Sequence, residues 1–138
     1  MGMSSILLDT NAYTGLINGD TGILEYMAQA DTIYISTVML GELYAGFYGG
    51  SKFEWNCDIL NDFLDKDTIS IVDVSHNTSK IFGKIKNELR LKGAMIPLND
   101  IWIAAHSLET NSTLLAFDKH FANISELKIW PGAMSYEQ

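Results

Sequence analysis

The chain has 138 residues, of which 47% are hydrophobic and 19% are charged, as in a folded domain and unlike a disordered chain. Its formal net charge of −8 argues against a protein that coats nucleic acid through many phosphate contacts. Cys57 is the single cysteine, which excludes an internal disulfide and a cysteine-based zinc site. The sequence has neither an apolar run of membrane-spanning length nor a signal-peptide pattern, so we expect a cytoplasmic protein.

Short apolar runs alternate with helical patterns along the chain. Strands are predicted over 4–8, 32–35, 68–74, 113–117 and 127–130. Helices are predicted over 12–30 in two pieces divided at 18–20, and over 37–48, 52–64, 75–91 and 100–110. This alternation predicts a single α/β domain over 1–138 with a mainly parallel central sheet of about five strands.

Helix ends carry their own signals. Ser36 or Thr37 is expected to be the N-cap of the helix over 37–48. Ser75 is expected to be the N-cap of the helix over 75–91, and Gly93 is expected to end that helix. Asn99 is the expected cap of the helix over 100–110. Residues 1–3 are expected to be an added remnant, and 131–138 a polar tail.

Four acidic residues stand in apolar stretches. Asp9, Glu42 and Asp100 each have no other charged residue within seven positions, and Asp118 follows a short apolar run. Asp9 and Asp118 come just past predicted strands, at the edge of a parallel sheet where ligand sites form. Asp100 and Glu42 lie in the first or second turn of predicted helices. All four carboxylates can therefore converge over one end of the sheet.

Each of these acids also has a structural explanation when it is taken alone. An Asp can cap a helix, a helical Glu can be solvated, and Asp118 can form a turn with Lys119. Four buried, unpaired carboxylates at several kcal/mol each would, however, exceed the roughly 5–15 kcal/mol net stability of a domain. We therefore predict that a divalent cation, Mg²⁺ or Mn²⁺, offsets their charge. Such a site is suited to phosphodiester hydrolysis.

Four segments, in this order, resemble the PIN domain and more narrowly the VapC toxins of bacterial and archaeal toxin–antitoxin pairs. They are LLDTNAYTGLI, ISTVMLGELYAG, IKNELRLKGAMIPLNDIWIAAHSLE and LLAFDKHF. The resemblance covers about residues 5–130. It implies a compact PIN-like α/β/α sandwich and a Mg²⁺- or Mn²⁺-dependent endoribonuclease that cleaves RNA. It also implies a VapB-like antitoxin as partner and a homodimer as a common assembly, with no membrane association.

By the same resemblance, the acids would be the catalytic residues Asp9, Glu42, Asp100 and Asp118. Asp9 and Asp100 would be metal ligands, with the other two as further candidates. Thr10 and Asn11 would hold the metal ligands in position without contacting the metal themselves.

One departure from the family pattern concerns Asp118. Many members have a Thr two residues before the last acid, and this chain has Ala116 there. The role of Asp118 is therefore less defined than its presence. His120 can approach the site, whereas His106 is expected to be a packed or surface residue rather than a catalytic one.

Five of the nine basic residues fall within 80–92, on a predicted helix. Lys86 and Arg90 share one face of that helix, away from its apolar residues. This face has two interpretations, a merely solvated surface or a stripe that contacts substrate phosphates.

Two other functions are compatible with parts of this pattern. A phosphoacceptor receiver domain has a similar size and acids at strand ends, but it typically carries an adjacent acid pair where Asp9 stands alone. A PIN-like RNA-binding module without catalysis would normally have lost one of the acids, and all four are present here.

Overall fold

A computed structural model describes residues 4–131, so the expectations for 1–3 and for the tail beyond 131 lie outside the described residues. Within that range the strands form one parallel sheet in the order β3-β2-β1-β4-β5. The strands are β1 (Ser5–Leu8), β2 (Thr32–Ser36), β3 (Ile69–Val72), β4 (Thr113–Leu115) and β5 (Ile129–Trp130). The predicted α/β class and parallel sheet are confirmed.

Six α-helices lie among the described residues, followed by one 3₁₀ turn. They are α1 (Thr10–Ile17), α2 (Thr21–Met27), α3 (Thr37–Gly49), α4 (Phe53–Leu64), α5 (His76–Lys92) and α6 (Leu98–Glu109), with the 3₁₀ turn at Lys119–Asn123. α3 packs on β2, α4 on β3, and α6 on both β1 and β4. No helix within 4–131 is long and apolar enough to cross a membrane.

The centre of the sheet is apolar on both faces because helices cover it. Leu7 and Leu8 of β1 and Leu114 and Leu115 of β4 are fully buried, although successive side chains of a strand point to opposite faces. β1 lies between β2 and β4, so the C-terminal ends of these strands meet at one edge of the sheet. The residue that follows β1 at this edge is Asp9.

The predicted caps of α3 and α5 are present. Ser36 accepts a hydrogen bond from the backbone N–H of Val38. Ser75 and Thr78 form a reciprocal capping box at the start of α5. Gly93 ends α5 with φ of 67°, a left-handed conformation that glycine adopts without strain.

The predicted start of α6 was wrong. Pro97 takes the N-cap position and the helix begins at Leu98, so Asn99 lies inside the first turn. Its side-chain amide donates to Glu42 instead of capping its own helix. Asn99 thus lies within the helix, and its side chain contacts a residue of another helix rather than its own backbone.

Candidate active site

Asp9 directly follows β1 and is only 4% exposed. Its backbone N–H donates to the Leu115 carbonyl at 3.1 Å, which holds the end of β1 against the end of β4. Asp9 occupies the N-cap position of α1, but its side chain makes no capping hydrogen bond. The backbone of Asp9 is therefore fixed at the junction of β1, β4 and α1, where its carboxylate is buried.

Glu42 lies half-buried on α3 and is held by two other elements. The Thr10 hydroxyl, on α1, donates to Oε1 of Glu42 at 2.6 Å. The Asn99 amide, on α6, donates to Oε2 at 3.3 Å. Both carboxylate oxygens thus have a donor, and the orientation of Glu42 is determined by residues of α1 and α6.

Asp100 and Asp118 are joined through His120, in the 3₁₀ turn that follows β4. His120 Nε2 lies 2.8 Å from Oδ2 of Asp100, and Nδ1 lies 3.1 Å from Oδ1 of Asp118. These are ion-pair distances, and the Nε2 contact does not have hydrogen-bond geometry. Asp118 also accepts from the backbone N–H of His120 at 3.2 Å, so it starts the 3₁₀ turn as an N-cap.

The acids affect one another's protonation. Burial raises the pKa of Asp9 to about 6, and the negative charges of Asp100 and Glu42 contribute to that rise, while the Thr10 N–H and His120 act in the opposite direction. Burial is also the largest cause that raises the pKa of Asp100, and His120 opposes it. Each anion therefore makes the next one harder to form, which is the condition that a bound cation relieves.

The donor set suits a hard cation, because the converging ligands are carboxylate oxygens. Among residues 4–131, no three Asp, Glu, His or Cys side chains already surround a common point at metal-binding distance. Mg²⁺ commonly retains several waters and takes only one or two protein carboxylates. Asp9 and Asp100, whose pKa values are both raised, fit that requirement, since Glu42 is already engaged by Thr10 and Asn99.

The expectation that all four acids are buried was wrong. Asp9 is buried, Glu42 and Asp100 are partly exposed, and the Asp118 side chain is 49% exposed. The reason is their position at an open sheet edge, where water reaches the outer members of the cluster. The desolvation cost therefore falls chiefly on Asp9, and the proximity of the acids favours a bound cation more than their burial does.

Of the remaining predicted site residues, only Thr10 contacts an acid of the cluster among the contacts described within 4–131. Thr10 contacts Glu42, whereas Asn11 is exposed in the first turn of α1. Lys86 and Arg90 are exposed on α5, and the Arg90 guanidinium donates to the Asn87 side chain at 2.8 Å. Both lie in the C-terminal half of α5.

Two site residues received too little weight from the sequence. His120 contacts two of the acids, and its position two residues after Asp118 was the available signal. Asn99 was assigned to a cap, although its place beside Asp100 could have marked it as part of the site.

The sequence profile of the PIN domain matches residues 6–127, which is most of the chain. The chain belongs to the PIN domain family. Ribonuclease VapC2 of Rickettsia felis is 35% identical over an alignment of 129 residues that covers 91% of each chain. The span 6–127 matched by the family profile contains all four acids of this PIN domain.

Solved structures of VapBC complexes contain chains with a similar fold. The structure of VapBC2 from Rickettsia felis bound to a DNA fragment from its promoter superposes with a TM-score of 0.79 at 32% identity, covering 91% of this chain and 96% of the other. VapBC-1 from nontypeable Haemophilus influenzae superposes with a TM-score of 0.81 at 26% identity, covering 91% and 96%. The PIN domain described here therefore shares its fold, nearly end to end, with chains from VapBC complexes.

Proposed function

We propose that this PIN domain is a metal-dependent endoribonuclease that hydrolyses RNA phosphodiester bonds as the toxin of a toxin–antitoxin pair. The observation that carries the proposal is the convergence of Asp9, Glu42, Asp100 and Asp118 at one edge of a parallel sheet. Their mutual electrostatic effects on the pKa values of Asp9 and Asp100 support this convergence. The similarity to Ribonuclease VapC2 of Rickettsia felis supports RNA as the substrate.

The residues of the cluster have separable roles in this proposal. Asp9 and Asp100 would hold Mg²⁺ or Mn²⁺ through carboxylate oxygens. Glu42, fixed by Thr10 and Asn99, adds a third carboxylate to the same cluster. When bound, the cation would lower the pKa of an attacking water and stabilise the charge that develops on the phosphate.

His120 and Asp118 form the solvent-exposed side of the cluster. The imidazole lies between Asp118 and Asp100, and thereby keeps the exposed carboxylate of Asp118 close to the inner acids. This contact connects Asp118 to the cluster in a chain that has Ala116 where many relatives have a threonine. In this proposal Asp118 orients water or the substrate phosphate rather than serving as the principal ligand.

The test is Asp9→Asn, which keeps the size and the hydrogen-bond acceptor of the side chain but removes its charge. We expect cleavage of a mixed RNA pool in the presence of Mn²⁺ to fall to background, while the far-ultraviolet circular dichroism stays that of the wild type. Asp58→Asn, an exposed position on α4, is the matched control and should cleave normally.

Two results would contradict this proposal. If Asp9→Asn cleaved RNA as fast as wild type, these acids would not be the catalytic cluster. If the wild type bound RNA but cleaved none with Mn²⁺ present, the chain would be a binding module of the same fold.

We further propose that the protein acts in the cytoplasm and is inhibited by a VapB-like antitoxin, with a homodimer as its own assembly. Support comes from VapBC2 of Rickettsia felis and VapBC-1 of Haemophilus influenzae, whose structures this chain resembles over nine-tenths of its length.

A further inference from the structure

His106 is a fully buried polar side chain in an apolar part of α6. Its Nδ1 lies 2.9 Å from the hydroxyl of Ser36, and its Nε2 lies 3.1 Å from the backbone carbonyl of Asp73. Because a carbonyl only accepts, Nε2 carries the proton and donates to Asp73. In the neutral imidazole, Nδ1 then accepts from the Ser36 hydroxyl, whose oxygen accepts from the Val38 N–H. The ring thus links Ser36 to Asp73.

The link joins the two helices that carry Glu42 and Asp100. Ser36 caps α3 six residues before Glu42, and His106 lies six residues after Asp100 on α6. At 1.5 Å per residue the link is about 9 Å along each helix from the acid. The hydrogen bond from Asn99 to Glu42 is a second link between the same helices. Two links at separate points restrict both the spacing and the rotation of the pair.

We propose that His106 is a positioning residue that holds α3 against α6, so that Glu42 stays beside Asp100 at the proposed cation site. This inference rests on the proposed metal-dependent function. A leucine could occupy a similar volume, but it would leave the Ser36 hydroxyl and the Asp73 carbonyl without this partner. The bond to Asp73 anchors α6 beside the end of β3, while the bond to Ser36 reaches the helix that carries Glu42.

Two substitutions separate these bonds. His106→Gln retains a donor near the position of Nε2 and removes the acceptor for Ser36, whereas His106→Asn retains an acceptor near Nδ1 and removes the donor to Asp73. We expect His106→Gln and Ser36→Ala each to weaken Mn²⁺ binding by roughly threefold to thirtyfold in a calorimetric titration. His106→Asn should weaken Mn²⁺ binding less than His106→Gln does, and combining His106→Gln with Ser36→Ala should weaken binding no more than either change alone.

Ser107→Ala is the matched control. Ser107 is the next residue of α6, is also fully buried, and donates one hydrogen bond to the Ser112 carbonyl at 3.0 Å, away from α3. We expect this variant to lower the melting temperature and to leave Mn²⁺ affinity unchanged. The inference is overturned if His106→Gln lowers the melting temperature but binds Mn²⁺ as tightly as the wild type. It is also overturned if the Gln and Asn variants are weakened equally.

The metal titration contains no RNA, so this inference and the proposed function fail in different ways. A wild-type chain that binds Mn²⁺ but cleaves no RNA overturns the nuclease assignment and leaves the comparison of variants valid. Should His106→Gln fail to fold, Ser36→Ala is compared with Ser75→Ala, because both variants lose a helix N-cap hydroxyl and only Ser36→Ala also loses the bond to His106.

Discussion

Asp9 is buried beside two other acids, and its carboxylate has a pKa of about 6 rather than 3.8. The folded protein therefore holds a proton at Asp9 at pH values where the unfolded chain has lost it. The folded state loses stability as the pH rises from about 4 to about 6, and above that range the loss is complete. A charge that the proposed activity requires is thus a charge that destabilises the metal-free fold.

It follows that Asp9→Asn should raise the stability of the metal-free protein at pH 7. The pKa difference of Asp9 between the folded and unfolded states corresponds to an increase in the free energy of unfolding on the order of 3 kcal/mol. This gain should nearly vanish below pH 4, where the wild-type carboxyl is largely protonated in both states. Thermal denaturation in EDTA at pH 3.5 and pH 7 measures this difference. Adding Mn²⁺ should then stabilise the wild type more than Asp9→Asn. A variant that is less stable than the wild type at pH 7 in EDTA would contradict the prediction.

Thr10 offers a separate test at the same scale, because its hydroxyl donates the 2.6 Å hydrogen bond to Glu42. Thr10→Val preserves shape and removes that donor, so we expect kcat to fall by about tenfold or more with little change in KM. Thr14→Val is the control on the same helix, since the Thr14 hydroxyl donates to the local Thr10 carbonyl. Equal kinetics for both variants would show that Thr10 does not orient Glu42.

At the level of secondary-structure elements, each end of α5 is held by hydrogen bonds to another element. Its capping box at Ser75 is held by Glu109, which accepts from Ser75, Asn77 and Thr78 and so ties the start of α5 to the end of α6. At the other end, Lys92 donates to the Asn123 carbonyl in the 3₁₀ turn that contains His120. The C-terminal end of α5 thereby supports the turn that completes the outer side of the site.

Two glycines of this region should respond in opposite directions to substitution by alanine. Gly93 has φ of 67°, so Gly93→Ala should destabilise the protein by about 1 kcal/mol or more. Gly83 lies within α5 with open space at the position of a Cβ, so Gly83→Ala should stabilise it by about 0.5–1 kcal/mol. Urea denaturation measures both values. The same sign for both variants would mean that backbone conformation is not the deciding factor.

Element types were predictable because hydrophobic periodicity and caps are local signals. Ser36, Ser75 and Gly93 marked helix boundaries correctly. The start of α6 was misassigned because the contact that determines the role of Asn99 is with Glu42, far away in sequence. His106 was expected only to be packed or exposed, since nothing local shows that Ser36 and Asp73 would meet it. Contacts between distant segments are what the sequence alone could not specify.

The whole molecule is acidic, with a net charge of −8, which is unfavourable for an encounter with RNA. The exposed cations of α5 partly offset this, although some are engaged locally, as in the pairs Lys84–Glu126 and Lys92–Glu88. Lys86 and Arg90 remain exposed on the same helix and form no ion pair with an acid among the contacts described within 4–131.

Charge reversal of Lys86 and Arg90 to Glu should therefore raise KM for RNA and leave kcat unchanged. For every phosphate interaction that the double variant removes, the slope of log KM against log salt should fall by about one. Reversal of both Lys52 and Lys66 to Glu, at exposed positions at the two ends of α4, changes the net charge by the same amount and is the control for net charge alone. An unchanged KM and salt slope in the double variant would favour a merely solvated helix face.

The strand order places β1 in the middle of the sheet, with β4 as one of its two neighbours. During synthesis, Asp9 emerges more than one hundred residues before β4, Asp118 and His120 do. Until β4 is available, β1 lacks one of its partners, and the carboxylates of the cluster have no common edge at which to meet. With the proposed activity, a nascent chain that ends before β4 would lack the cluster and would not cleave RNA.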